Sequence, residues 1–241
     1  QSRKAPRPTC HAIYIRRFRM KTEALFLQEI ETIFNQRHFI DSNNDKDVGD
    51  YFESCLGKKI DNKKQPDISY LDVEIKTSSK KHLATTFTRS PDKYGYTDDN
   101  GVLRLMTTVT VNTNNLGFRL VVDNRKIHLM HDDIKVQCWN RSDIYKDFCG
   151  KMPHLAFVTY RKKDNEVLFD SFVFYKNSKS KKLVELIKNN MVSVDIRLRE
   201  GYSHEKISMK DRGTAFRLKN IEHYDFLFEE KTIIVQKVPN D

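Results

Sequence analysis

The stretch Pro66–Lys76 carries two acids and a lysine at a spacing that suits the hydrolysis of a phosphodiester. Asp67 opens the stretch, and Glu74 and Lys76 close it, two positions apart. On a strand, side chains two positions apart lie on the same face, with their backbones about 6.6 Å apart. Mg²⁺ prefers carboxylate oxygens, and an ammonium beside it can orient or deprotonate the attacking water and stabilise phosphate charge. We therefore interpret Asp67 and Glu74 as metal ligands and Lys76 as the group that contacts water and phosphate.

The same stretch has a simpler interpretation when it is considered alone. From Leu71 to Lys76 apolar and charged residues alternate, which predicts a strand with one buried face and one charged face. A solvated surface strand would give this pattern, and an acid followed by Glu-x-Lys occurs by chance in charged proteins. Asp72 shares the predicted charged face with Glu74, so it is an alternative metal ligand to Asp67.

The elements before this stretch could place a further acid beside it. An apolar stripe predicts a helix from Lys21 to about Gln36, and a second helix is predicted over about Asp47–Leu56. Gly57 stands where a helix commonly ends in a left-handed glycine. Glu53 lies at the edge of the buried face of the second helix, so its carboxylate could point along the sheet. Residues 58–64 form a charged connection that leads into a hairpin at Pro66.

The remainder of the chain is rich in predicted strands. Five of them fall between residues 105 and 175: Leu105–Val111, Phe118–Val122, Ile134–Trp139, Leu155–Tyr160 and Val167–Tyr175. After a predicted helix over Ser180–Asn189, strands are expected at Val192–Leu198, Gly213–Leu218 and Ile233–Val238, with a polar loop over Gly201–Arg212. Arg197 shares the polar face of its strand with Asp195, and Arg217 lies on the polar face of the next predicted strand.

Composition limits the class of protein. The net charge of +10, from 43 basic and 33 acidic residues, favours polyanionic partners. Seven of the basic residues fall within residues 1–21, which hold no acid. We interpret residues 1–20 as a basic, flexible N-terminal extension; a solvated tail or an arm on a nucleic acid explains it equally well. Residues 21–241 then form a single unit.

Two further counts bear on the compartment. The four cysteines are scattered and form no CxxC pair, which indicates a reduced intracellular compartment and disfavours a structural zinc site. The sequence has no run of eighteen apolar residues and no signal-peptide core, so we expect no membrane span.

Several segments together resemble one family of nucleases. Tyr51-Phe52-Glu53, Pro66-Asp67 and Val73-Glu74-Ile75-Lys76-Thr77 resemble the active-site region of the PD-(D/E)XK nucleases. Phe87–Pro91, Val194-Asp195-Ile196-Arg197 and Gly213–Leu218 narrow the resemblance to the MvaI/BcnI group of type II restriction endonucleases, relatives of the nicking enzyme MutH. These segments occur in the family's order and span nearly all of the chain from about residue 21.

The resemblance implies a fold and an activity. The fold would be α/β (α+β), with a mixed β-sheet core flanked by helices, a catalytic lobe over about residues 21–95 and a DNA-recognition part over about 96–241. The activity would be Mg²⁺-dependent cleavage of double-stranded DNA at short, nearly palindromic sites of the CCNGG kind. The protein would act as a monomer in a prokaryotic cytoplasm, alongside a cognate DNA methyltransferase that forms no stable complex with it.

The resemblance also assigns roles to residues. Asp67, Glu74 and Lys76 would be the catalytic set, with Glu53 as an accessory acid. Arg197 and Arg217 would read guanines, although phosphate contact or a salt bridge to Asp195 or Glu200 would also account for them. Further DNA contacts are expected from four residues in or near loops: His82, Arg89, His204 and Arg212.

Two departures from the family pattern affect these assignments. Residues 209–212 stand where the best-known member has a histidine-containing segment, so Arg212, His204 or His82 would have to take its place in base recognition. The interval from Asp67 to Glu74 is longer than in relatives, which predicts a local insertion in the hairpin. Two alternatives to a site-specific endonuclease stay open: a MutH-like strand-nicking or methylation-directed enzyme, and a DNA-binding module with an idle nuclease site.

Overall fold

A computed structural model of the chain describes residues 10–41, 45–58, 65–79, 84–94, 105–203, 206–211 and 214–235. His82, His204 and Arg212 lie outside these residues. Within the described ranges, every helix is either too short or too polar to span a lipid bilayer.

A five-stranded mixed sheet carries the predicted active-site strand. Its strands are β1 (His38–Phe39), β2 (Val73–Ser78), β9 (His154–Lys163), β10 (Glu166–Ser178) and β14 (Phe228–Val235). They are ordered β1-β10-β9-β2, and β14 also pairs with β10. β2 runs parallel to β9, whereas the pairings of β10 are antiparallel. The strand that holds Glu74 and Lys76 therefore lies at one end of the sheet order.

Two helices cover one face of this sheet. They are α1 (Cys10–Phe34) and α2 (Asp45–Cys55). Phe26 and Phe52, from the two helices, pack into one core with Val73 and Ile75 of β2. α2 comes very close to β2, because a Cβ at Gly49 would lie only 2.9 Å from Thr77 Oγ1. A larger residue at this position would therefore require the Thr77 side chain or the helix to shift.

Two further sheets and three helices enclose a second core on the other side. One sheet has the order β12-β11-β13-β3, with β5 also paired to β11, and the other has the order β4-β8-β7-β6. Their strands are β3 (Ala84–Thr88), β4 (Lys93–Tyr94), β5 (Leu105–Val109), β6 (Phe118–Val122), β7 (Lys126–His131), β8 (Ile134–Asn140), β11 (Val192–Ser203), β12 (Lys206–Asp211) and β13 (Ala215–Leu218). The helices are α3 (Arg141–Lys151), α4 (Ser180–Lys188) and α5 (Tyr224–Leu227). Leu155 and Phe157 of β9 join this second core, so the central sheet separates two apolar layers.

Much of the predicted secondary structure is confirmed. The mixed α+β fold class is confirmed, and the strand over Phe118–Val122 has the predicted bounds. Gly57 has φ +72°, in the left-handed conformation expected just after the end of α2. The first helix begins at Cys10 rather than Lys21, and the proposed domain boundaries stay a prediction.

Three predictions about local structure are wrong. Residues 201–212 are not simply a loop, because β11 continues to Ser203 and pairs with β12. Strand pairing satisfies the backbone hydrogen-bonding groups whether or not the side chains are apolar. A search for apolar alternation therefore does not detect a pair of polar strands. The active-site strand starts at Val73 rather than Leu71, because Asp72 has φ +57°, which cannot continue a strand.

The third error is an omission. Helix α3 was not predicted, although Ile144 and Phe148 are buried one turn apart and Tyr145 and Cys149 pack beside them. Strand β7 was not predicted either. The omission of α3 matters for the active site, because its last residue is Lys151.

Candidate active site

The alternation of β2 directs its charged residues to the face opposite the α1–α2 core. Val73 and Ile75 are buried in that core. Glu74 points the other way and is only 1% exposed. Lys76 Nζ lies 2.6 Å from Glu74 Oε1, so the predicted side-by-side placement of the two charges is confirmed. Glu74 on the charged face is therefore buried, whereas the Lys76 side chain beside it is 29% exposed.

A tight turn returns Asp67 to the same place. Ile68 and Val73 form an isolated antiparallel bridge across residues 69–72. This bridge replaces the first strand of the expected hairpin and places Asp67 alongside β2, where Asp67 Oδ2 accepts a 2.8 Å hydrogen bond from the Ile75 amide. Asp72 lies in the turn with its side chain exposed. The geometry thus brings Asp67, rather than Asp72, to Glu74.

Lys58 connects Glu53 to this group. Its Nζ lies 2.7 Å from Glu53 Oε2 and also contacts Asp67 Oδ1. The left-handed Gly57 reverses the chain at the end of α2, and the Lys58 amide donates to the Glu53 carbonyl at 3.1 Å. We had placed Lys58 only at the start of a charged connection. Gly57 is the feature of the sequence that could have indicated this contact, because a left-handed glycine after a helix turns the next residue, Lys58, back toward Glu53.

Lys151 approaches Glu74 from the end of α3. Its Nζ lies 2.8 Å from Glu74 Oε2, in an ion pair that lacks the alignment of a hydrogen bond, and it donates to the Gln65 carbonyl at 3.1 Å. Because α3 was not predicted, nothing in the sequence pointed to this contact. Lys151 thus ties both α3 and the segment before Asp67 to the buried carboxylate.

Burial and charge act against each other on the acids. Burial raises the pKa of Glu74 above its ordinary value, although the ammonium groups of Lys76 and Lys151 oppose this shift. Burial likewise raises the pKa of Glu53. For Asp67 burial also favours the neutral form, but Lys58 and the Ile75 amide outweigh it and lower the pKa. Asp67 is therefore strongly held in its charged form.

The same balance keeps Lys76 protonated. Burial lowers its pKa, but the carboxylates of Glu74, Asp67 and Glu53 outweigh burial and raise the pKa above its ordinary value. A lysine in this state donates hydrogen bonds and carries positive charge, and it is a poor base at neutral pH. This arrangement favours the orientation of water and phosphate over removal of a proton.

The two predicted guanine-reading arginines lie on neighbouring strands and share one acid. Arg217 Nε lies 2.7 Å from Asp195 Oδ2, and Arg197 Nη2 lies 3.5 Å from the same oxygen. Thr108 donates to the other oxygen, Oδ1, at 2.8 Å. β11 and β13 pair with Asp195 opposite Ala215, which brings the two arginines together from positions twenty residues apart. The salt bridge to Asp195 that the sequence left open is thus formed by both.

A protein-family model also matches most of the chain. The model of the MvaI/BcnI restriction endonuclease family matches residues 27–228. The chain belongs to the MvaI/BcnI restriction endonuclease family. The resemblance identified from the sequence is thereby confirmed. Membership in this family makes the chain a nuclease, and restriction endonucleases generally use divalent metal ions.

Solved structures support the fold of this MvaI/BcnI family member. A "Restriction endonuclease MvaI-cognate DNA substrate complex" aligns with a TM-score of 0.67 and 24% sequence identity, over 88% of this chain and 97% of that chain. The same restriction endonuclease "in the absence of DNA" aligns with a TM-score of 0.51 and 22% identity, over 83% and 91%. No curated protein sequence matches at a significant level. The structural matches show a shared fold.

The donor set suits a hard divalent cation. Asp67 and Glu74 offer carboxylate oxygens, and Mg²⁺ is commonly held by one or two carboxylates, with water and phosphate completing its shell. Within the described residues, no group of three or more His, Cys, Asp or Glu side chains is arranged to enclose a metal. The two carboxylates therefore fit a site completed by substrate better than they fit a closed protein cage.

Arg89 lies in an acidic environment rather than at an open surface. Its guanidinium contacts Asp147 and lies 3.1 and 3.2 Å from Asp92 and Asp143. Its backbone is held as well, because the amide donates to the Thr214 carbonyl at 2.9 Å. These contacts join β3, α3 and β13, and they favour a structural role; the predicted DNA contact of Arg89 stays a prediction.

Proposed function

We propose that this MvaI/BcnI family member is a type II restriction endonuclease. It hydrolyses phosphodiester bonds of double-stranded DNA at a short, near-palindromic, CCNGG-like site with Mg²⁺. The observation that carries this proposal is the convergence of Glu53, Asp67, Glu74 and Lys76 on one side of the central sheet. A module that only binds DNA does not need buried carboxylates tied to lysines, because burying charges is costly.

Asp67 and Glu74 would hold the metal. When bound, a divalent ion neutralises charge on the phosphate and lowers the pKa of a coordinated water. The carboxylate of Asp67 is fixed by the Ile75 amide, and that of Glu74 by Lys76 and Lys151. Two pre-positioned carboxylates reduce the cost of ordering the site when the substrate arrives.

Lys76 acts on the scissile phosphate and the attacking water. Its side chain is 29% exposed while Glu74 beside it is almost fully buried, so Lys76 can reach substrate from a fixed position. As a protonated amine it donates hydrogen bonds to a non-bridging oxygen and to water, stabilising the charge that builds up in the transition state. Glu53 acts as an accessory acid through the lysine that it shares with Asp67.

Arg197 and Arg217 read guanines in the major groove. A guanidinium can donate two hydrogen bonds to the O6 and N7 atoms of guanine. Asp195 holds both groups on adjacent strands and so limits the orientations that they can adopt. His82, Arg89, His204 and Arg212 stay candidates for further DNA contacts. The protein acts as an intracellular monomer, cutting each strand in turn, and its host carries a methyltransferase that protects the site.

Cleavage of plasmid DNA tests the proposal. With Mg²⁺ the purified protein should cut plasmid into discrete fragments, and run-off sequencing of the ends should give one short recognition sequence and its overhang. Nicked circles that are never linearised would favour the strand-nicking alternative. Binding without any cleavage across divalent metals would favour the idle nuclease site.

A further inference from the structure

A cation of the protein already occupies the space between two acids of the candidate site. Lys58 Nζ lies 2.7 Å from Glu53 Oε2 and contacts Asp67 Oδ1. The Lys58 side chain is only 12% exposed, and that of Asp67 is 11% exposed. An ammonium so placed is not a solvated surface charge.

The atom that Lys58 covers is the one that a metal would need. Asp67 Oδ2 already accepts a hydrogen bond from the Ile75 amide. Oδ1 is therefore the oxygen best placed to ligate a metal, and Lys58 contacts it. A metal ligand lies about 2.1 Å from Mg²⁺, so an ammonium on the same oxygen would stand within a few ångströms of a divalent cation and be strongly repelled.

The net charge of the group also disfavours a bound metal while Lys58 stays in contact with Asp67. Three carboxylates, Glu53, Asp67 and Glu74, contact three ammonium groups, those of Lys58, Lys76 and Lys151. The group is neutral as it stands, so a divalent ion would leave it with two surplus positive charges. Lys76 and Lys151 contact Glu74, whereas Lys58 contacts Asp67 Oδ1, the oxygen that the metal would use.

We propose that Lys58 is a resident counter-ion of the metal site: its ammonium holds Glu53 and Asp67 together before the metal binds, and it gives up Asp67 when the metal binds. This inference rests on the proposed metal-dependent function. Lys58 directly follows the left-handed Gly57, and lysine has a long, flexible side chain, so its ammonium can move without unfolding α2. Lys58 is thus a positioning residue that sets the metal affinity of the DNA-free protein.

Metal binding to the DNA-free protein tests this. Isothermal titration calorimetry with MgCl₂ and MnCl₂ should compare wild type with Lys58→Met, which keeps most of the side-chain volume and removes the charge. Losing one competing charge-assisted contact should tighten metal binding about ten-fold. Lys176→Met is the control, because Lys176 of β10 also pairs with an acid, Glu23, has a partly buried side chain outside the site and should leave metal affinity unchanged.

A second measurement needs no variant. In the wild-type protein, acetylation of Lys58, followed by mass spectrometry, should be slow without metal and about ten-fold faster with saturating Mg²⁺ as the ammonium is released. Lys176 should react at the same rate in both conditions. This measurement also covers the case in which Lys58→Met does not fold.

The outcomes separate this inference from the proposed function. Two results would overturn the proposed release of Asp67 by Lys58 and leave the nuclease proposal intact. One is that the wild type binds metal and Lys58→Met binds it equally or more weakly. The other is that metal does not accelerate the acetylation of Lys58. Absence of metal binding in every variant, together with no metal-dependent cleavage of DNA, would overturn both.

Discussion

Two charged groups of the molecule differ in net charge. The catalytic cluster consists of Glu53, Asp67, Glu74, Lys58, Lys76 and Lys151, and the arginine pair consists of Arg197 and Arg217. In the catalytic cluster three acids contact three lysines, and Glu74 at its centre is almost fully buried. In the arginine pair a single acid, Asp195, contacts both Arg197 and Arg217, whose side chains are about one third exposed. The first group is neutral, and the second carries a surplus positive charge.

This difference matches what each region is proposed to bind. A neutral cluster rich in carboxylates gains from a divalent cation, provided that one of its own cations can move away. The two guanidinium groups share one carboxylate, so a positive charge and hydrogen-bond donors remain. These suit DNA, which offers phosphate charge and acceptor atoms in its major groove. The difference indicates that the proposed catalytic site is organised before it binds metal or DNA, whereas the proposed reading arginines would have their hydrogen-bond donors fully used only once DNA binds.

The largest expected effect is on the catalytic cluster. Lys76→Ala should lower the cleavage rate about 10²–10³-fold, because it removes a donor aimed at charge that develops in the transition state. Glu74→Ala should abolish measurable cutting, because it removes a proposed metal ligand. DNA binding should survive in both, as measured by gel shift in Ca²⁺.

The control for this prediction is Lys176→Ala, which removes a lysine from the same sheet but outside the cluster. It should cleave at nearly the wild-type rate. Full activity in Lys76→Ala would show that the cluster is not the catalytic site.

A smaller effect is expected at the arginine pair. Arg217→Ala and Arg197→Ala should each weaken binding to the cognate site by about 1–3 kcal/mol while changing binding to random DNA much less. Competition titrations with cognate and scrambled duplexes measure this difference. The reason is that a base contact is lost only at the cognate site.

Arg161→Ala serves as the control, because this exposed arginine pairs with Asp170 on the central sheet, away from Asp195. A uniform loss across all sequences in Arg217→Ala would reassign that arginine to phosphate contact. It would also remove the proposed division between a cutting region and a reading region.

The smallest effect concerns stability and pH. The folded state lowers the pKa of Asp67, so its contribution to stability is fully present above the ordinary Asp value, near pH 4, and is lost as pH falls through the lowered value. Asp67→Ala should therefore cost about 2 kcal/mol of unfolding free energy at pH 7, and the cost should shrink below pH 4. Urea unfolding at several pH values measures it.

A surface pair sets the baseline for that measurement. Asp170→Ala should cost less than about 1 kcal/mol, because its partner Arg161 is largely exposed. A cost for Asp67→Ala that stayed constant or grew in acid would contradict the view that the charged form of Asp67 stabilises the fold.

The sequence by itself determined the local features of this protein. The period of two along β2 placed Glu74 beside Lys76, and Gly57 marked the end of α2, because backbone geometry alone sets these relations. The motifs were specific enough to identify the family, which the match over residues 27–228 confirms. Strands with clear apolar alternation, such as β6, were found for the same reason.

Only the tertiary structure decided which distant charges meet. The alternation placed Asp72 on the same face as Glu74 and so left it as an alternative to Asp67. The structure gives Asp72 a positive φ that takes it out of the strand, and the Ile75 amide donates a hydrogen bond to Asp67. Lys151 reaches Glu74 from the end of α3, a short helix that was not predicted from the sequence. Arg89 is expected to contact DNA, and the structure also places its guanidinium beside Asp92, three residues away, and beside Asp143 and Asp147 of α3. Chain reversals and packing set these contacts, and they leave no periodic trace in the sequence.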